Sequence, residues 1–83
     1  MSPKLKNVTI RNLISALERD GFILKRSSGS HRTYQHPTSG IRVTLSYHHA
    51  GETARPGLIN EVVKSTKWTE DDLIRLNLMR KGG

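Results

Sequence analysis

Apolar residues take a helical period early in the chain. Ile10, Leu13, Ile14 and Leu17 recur at i, i+3, i+4 and i+7, which puts them on one face of a helix. Asn7 or Thr9 can cap its start and Gly21 can end it in a left-handed conformation, so a helix is predicted over about 9–19. The period then shortens. Phe22 to Arg26 reads as a strand, Ser27-Ser28-Gly29 as a turn, and His31 to His36 as a second, alternating strand. Pro37-Thr38-Ser39-Gly40 is a second turn. Ile41, Val43 and Leu45 then alternate with Arg42, Thr44 and Ser46, as in a half-buried strand. His48 to Arg55 is a polar loop. Pro56-Gly57 opens a second helix with Leu58, Ile59, Val62 and Val63 on its apolar face, and a break follows near Thr66-Lys67. Thr69 ahead of Glu70-Asp71-Asp72 marks the start of a short last helix carrying Leu73 and Leu76.

This order predicts one α/β (α+β) domain over 1–83, with a flexible lead at 1–7 and a frayed tail at 81–83. It reads α-β-β-β-α plus a terminal helical segment, with a three-stranded antiparallel sheet. Helices on one face of the sheet would leave the other face wet. In the third strand Ile41, Val43 and Leu45 must then point inward. In the second, Tyr34 is the large apolar residue, which sends His31, Thr33 and Gln35 to the open face. In the first, Phe22 and Leu24 favour the core, leaving Lys25 and Ser27 outside. A slip of one residue in register would reverse each assignment.

Charge changes the picture more than hydropathy does. The chain has 83 residues, 34% of them hydrophobic, and a net charge of +7. Mean hydropathy is −0.56 and the isoelectric point is about 10.4. The basic excess sits before residue 56, where only Glu18, Asp20 and Glu52 oppose it, and it favours a polyanionic partner. There is no cysteine, which excludes disulfides, thiolate metal sites and a cysteine nucleophile. No apolar run approaches the roughly 20 residues needed to span a bilayer. The basic N-terminus is not followed by a signal-type apolar stretch. A complete, untargeted, soluble, cytoplasmic protein is expected.

The run Gly29-Ser30-His31, then Tyr34 and His36-Pro37, resembles the HicA toxin family. Gly21-Phe22 at the end of the first helix matches the family's Gly-Phe pair. His49-Ala50-Gly51 and Pro56-Gly57 match its loop and second-helix start. The resemblance covers about residues 9–76. Tyr47-His48 departs from the family's Val-Pro before the loop histidine, and Gly57-Leu58-Ile59 from its Gly-Thr-Leu. The resemblance implies a fold like the double-stranded-RNA-binding domain, ribonuclease activity on mRNA without a cofactor, and neutralisation by a HicB antitoxin. It also implies a toxin that is a monomer when free and part of a hetero-oligomer when bound. The histidine it marks as catalytic is His31.

The residues support that chemistry independently. RNA carries its own nucleophile, the 2′-OH, so an enzyme must move protons and steady phosphorane charge. Histidine, with a reference pKa of about 6.5, suits the proton transfers. Lys25 or Arg32 can meet phosphate charge if their side chains reach the face of His31. Gly29 and Ser30 allow close backbone approach, and Arg26 and Arg42 are candidate clamps on the RNA backbone. His49 has two readings of equal weight: a second acid/base or substrate contact, or a residue that caps the second helix or hydrogen-bonds its loop. His36 and His48 read as structural or incidental. Adjacent His48-His49 and the lack of a carboxylate or thiolate ligand pattern argue against zinc. Tyr34 reads as core, and Trp68 as packing between the last two helices. A non-catalytic double-stranded-RNA-binding module is the alternative, but its Lys-rich helix start is lacking at Pro56-Gly57-Leu58. A third reading is a protein-binding domain whose basic face serves only an acidic partner.

Overall fold

The computed structural model describes residues 7–79; the expected lead up to residue 6 and the tail at 81–83 lie outside the described residues. The order is α1 (Ile10–Arg19), β1 (Ile23–Ser28), β2 (His31–Gln35), β3 (Arg42–Ser46), α2 (Pro56–Thr66) and α3 (Glu70–Arg75). The strands form one antiparallel sheet in the order β1-β2-β3. This is the α-β-β-β-α arrangement with a C-terminal helix that the periodicity predicts.

The helix ends follow from local chemistry. Thr9, not Asn7, caps α1: its hydroxyl accepts from Asn12 N–H while the Asn12 side chain accepts from Thr9 N–H. Thr69 and Asp72 repeat the same reciprocal cap on α3. Pro56 opens α2, and Lys67 ends it at φ 62°. Leu13, Leu17 and Ala16 on α1, Tyr34, Val43 and Leu45 on the sheet, and Ile59 and Val62 on α2 share one buried core. Trp68 closes its far end, with its indole N–H donating to Asp20 Oδ2 at 2.8 Å. Asp20 Oδ1 also takes Arg75 at 3.1 Å, so α3 is fastened to the C-terminal end of α1.

His36 is a clamp, in keeping with its structural reading. Its Nδ1 lies 3.2 and 3.3 Å from the N–H groups of Thr38 and Ser39 and accepts from them. Nε2 therefore carries the proton and donates to Asp20 C=O at 3.0 Å. The ring stands edge-on to Phe22. Gly21, at φ +97°, passes so close that a Cβ there would lie 2.9 Å from His36 Nε2.

Strand parity holds in β2 and β3 and needs correction in β1. Val43 and Leu45 are buried while Arg42, Thr44 and Ser46 are exposed. Ile41, just before β3, is half-buried against the core. Tyr34 pairs with Val43, and His31, Thr33 and Gln35 pair with Ser46, Thr44 and Arg42 on the opposite face. In β1, Leu24 pairs with Tyr34 on the core side yet is 46% exposed, because the helix layer does not cover this edge strand. A β-bulge then intervenes between Leu24 and Arg26, leaving Lys25 as the extra residue. Beyond it Arg26 pairs with Thr33, Ser27 with Arg32 and Ser28 with His31. Ser27 thus lies on the face opposite to the one expected, and Arg26 and Ser28 join the open face. The strand also runs to Ser28, so the turn shortens to Gly29-Ser30.

Candidate functional site

The open sheet face is a set of cross-strand rows. Ser28, His31 and Ser46 form one row, Arg26, Thr33 and Thr44 the next, and Ile23, Gln35 and Arg42 the third. Helices cover the other face only, so these side chains reach solvent. The hydroxyls of Thr33 and Thr44 are 3.2 Å apart. Gln35 donates to Gly40 C=O at 3.4 Å. Lys25, Arg26, Thr33, Gln35, Arg42 and Thr44 line a shallow depression of about 400 Å3. All seven carboxylate residues of the chain lie on the helices, at their ends or in the 48–55 loop, and none is on the sheet. Cations therefore dominate this face locally, as well as in the overall charge.

His31 stands at the first position of β2, directly after the Gly29-Ser30 turn, and is exposed. Among the described residues its imidazole has no hydrogen-bond or ion-pair partner. Gly29 has φ +58°, a conformation that favours glycine, and its Cβ direction is empty. Backbone conformation accounts for glycine at this position. Ser30 C=O accepts from Tyr47 N–H at 3.0 Å, which fastens the turn to the end of β3.

Arg32 does not join His31. It pairs with Leu45 and Ser27 and so takes the opposite face of the sheet. There its guanidinium lies 5.4 Å from the centre of the Tyr47 ring and donates to Gly29 C=O at 2.7 Å. Its place is behind the turn, holding the backbone that presents His31. The condition set by the sequence, that Arg32 reach the face of His31, is not met by this conformation. Lys25 and Arg26 meet it together through the bulge.

The loop after β3 is fastened to the start of α1. Ile10 N–H donates to Glu52 C=O at 3.0 Å and Arg11 N–H to Ala50 C=O at 2.8 Å, so loop carbonyls satisfy the first orphan donors of the helix. Glu52 also turns its carboxylate back on the loop, where Oε1 accepts from His48 N–H at 3.0 Å and His49 N–H at 3.3 Å. Sequence reasoning gave Glu52 no role. Its position three and four residues after the histidines is the signal that a carboxylate can close such a turn. The backbone of His49 is thereby fixed while its side chain is exposed. Among the described residues no three side chains of histidine, aspartate or glutamate converge in a way that would hold a metal ion.

Those two backbone donors, His48 first, hold the Glu52 carboxyl below the usual carboxylate range. A depressed folded-state pKa adds stability that is present above the unfolded value and is lost as pH falls through the folded one. Amide exchange at His48 and His49 is therefore expected to quicken, relative to other loop amides, as pH drops below the usual carboxylate range. Glu52→Gln should remove most of that pH dependence. A profile unchanged by the substitution would mean that Glu52 does not close the loop.

The turn, the histidine after it, and the loop with its helix start are the features on which the sequence resemblance rests. A family model described as "HicA toxin of bacterial toxin-antitoxin" matches residues 10–68, most of the chain. The chain belongs to the HicA toxin family. The match runs from the first residue of α1 to Trp68, so it includes the whole sheet, the 48–55 loop and α2. No curated protein matches the chain. Membership in the HicA family makes it the toxin of a toxin–antitoxin system and implies an antitoxin partner. No helix among the described residues is long and apolar enough to cross a membrane.

Proposed function

We propose that this HicA toxin is a metal-independent endoribonuclease that cleaves mRNA in the cytoplasm, with His31 as its acid/base residue. Cleavage would inhibit translation and growth until a HicB-type antitoxin neutralises the toxin. The observation that carries this reading is an exposed imidazole on a sheet face that bears cations and hydroxyls and no carboxylate. The HicA family is in general one of mRNA-cleaving toxins, which supports the substrate class. RNA needs no external nucleophile. A neutral His31 accepts the proton of the 2′-OH as oxygen attacks phosphorus, or a protonated one returns a proton to the departing 5′ oxygen. Cations on the open face offset the charge that gathers on the phosphate oxygens. His49 either supplies the second proton transfer or only shapes the loop.

The same features support the regulatory half of the proposal. An antitoxin with an acidic surface would dock on the basic face and close off His31, with association that is fast and salt-sensitive. The free toxin is a monomer in this scheme, and the neutralised form a hetero-oligomer. The deciding experiment incubates purified protein with mRNA in excess EDTA. Cleavage is expected to persist and to leave a 2′,3′-cyclic phosphate or its hydrolysed product. Loss of cleavage on chelation would overturn the metal-free scheme. Absence of cleavage under all conditions would leave a binding protein in place of an enzyme.

A further inference from the structure

We propose that the depression on the open sheet face is a phosphate track for single-stranded RNA, in which Lys25, Arg26 and Arg42 grip the backbone one and two nucleotides away from the scissile phosphate. The inference rests on the reading of His31 as the cleaving residue only for which phosphate is the scissile one.

The geometry is that of a ladder. Successive open-face positions of β2, His31, Thr33 and Gln35, are two residues apart, or about 6.7 Å at the rise of a strand. That step is close to the separation of neighbouring phosphates along an extended nucleic-acid strand. A backbone laid along β2 with one phosphate at His31 therefore brings the next beside the Arg26-Thr33-Thr44 row and the one after beside Gln35 and Arg42. Arg26 lies on one side of β2 and Arg42 on the other, on strands two spacings or about 10 Å apart and one row apart along the strand direction. One backbone fits between them. The bulge matters here because it turns two consecutive residues, Lys25 and Arg26, toward the same depression. An unbroken strand would send one of them to the opposite face.

The face also indicates how the strand is held. Apart from the His31 imidazole, none of its rows contains an aromatic side chain. Phe22, Tyr34 and Trp68 are buried, and Tyr47 lies beneath Arg32 on the other side. Base stacking, the usual second contribution to single-strand binding, has no aromatic platform along the depression itself. Grip must come from charge and from the Thr33 and Thr44 hydroxyls, so binding should be tolerant of sequence and steeply dependent on salt. A duplex is a poor fit, because an extended strand can follow the rise of β2 phosphate by phosphate, whereas A-form stacking holds the phosphates on a fixed helical path and brings a second strand.

The test uses the full chain and a dye-labelled single-stranded RNA carrying 2′-O-methyl groups throughout, which cannot be cleaved. Anisotropy titrations across a KCl series give affinity and salt slope. The Arg26→Gln/Arg42→Gln variant is expected to bind at least tenfold more weakly at low salt. Its log–log salt slope should be shallower by about 1.4, from about 0.7 for each lost phosphate contact to a single strand. Arg19→Gln and Lys64→Gln, on helices, should change neither value. The same RNA in duplex form should bind more weakly than the single strand. Circular dichroism establishes that the variants fold, and since Arg26 and Arg42 are exposed, folding should be retained. Wild-type affinity and slope in the double variant would overturn the track, as would tighter binding of the duplex. Retained RNA binding with loss of antitoxin binding would make the face a protein interface instead. Binding of this kind by a protein that never cleaves RNA would sink the proposed enzyme and leave the track standing.

Discussion

His31→Ala is expected to abolish RNA cleavage and growth inhibition while the protein stays folded and still binds RNA. The imidazole is exposed and has no partner among the described residues, so its removal leaves no buried group unsatisfied. A surface change of this kind should shift stability by no more than about 0.5 kcal/mol. The lost proton transfer is a different matter, because general acid–base catalysis is commonly worth roughly a hundredfold to ten-thousandfold in rate. The cations of the open face remain, so affinity for RNA and its salt dependence should survive. Cleavage, binding and circular dichroism must be measured on the same preparation. Wild-type cleavage by a folded His31→Ala protein would end the catalytic assignment. His49→Ala in parallel separates the two roles of that residue. Near-complete loss makes it the second proton carrier, and partial loss makes it a support for the loop.

The largest effect on stability is expected from Leu45→Ala. Leu45 is fully buried on β3, between the sheet and the helix layer, and is among the largest side chains with no exposure at all. Truncation removes apolar contacts and leaves a cavity that β3, bonded along β2, can relax into only in part. Such changes cost about 2–5 kcal/mol, against a total of about 5–15 kcal/mol for a typical domain. In a domain of this size each kcal/mol lowers the melting temperature by about 4–8 °C. A fall of at least about 10 °C is therefore expected in a thermal melt, with antitoxin absent so that binding does not mask it. An unchanged melting temperature would show that Leu45 does not pack in the core.

Local chemistry alone determined much of this protein. The caps at Thr9 and Thr69 were legible because a hydroxyl satisfies backbone N–H groups only a few residues away. The facing of β2 and β3 was legible because Tyr34, Val43 and Leu45 have one dry side to choose, and the pleat then sends His31, Thr33 and Gln35 the other way. Gly29-Ser30-His31 marked the candidate site for the same reason: turn, histidine and strand start are adjacent in the chain. What remained depended on contacts between segments. The bulge at Lys25 is a property of how β1 pairs with β2, so alternation within β1 could not reveal that Arg26 and Ser28 face the site and Ser27 does not. Leu24 has the character of a core residue, but exposure depends on how far the helix layer reaches, and it stops short of the edge strand. Arg32 went to Tyr47 and Gly29, where it braces the turn that presents His31. The place of the 48–55 loop was decided only where its carbonyls met the start of α1, although the bonds of the Glu52 carboxylate to His48 and His49 are local and their spacing was there to be read. Side-chain character and short spacings set the elements and their inner faces. Pairing register, edge position and loop docking set which charges surround His31, because each of these is fixed only when distant parts of the chain compete for the same neighbours.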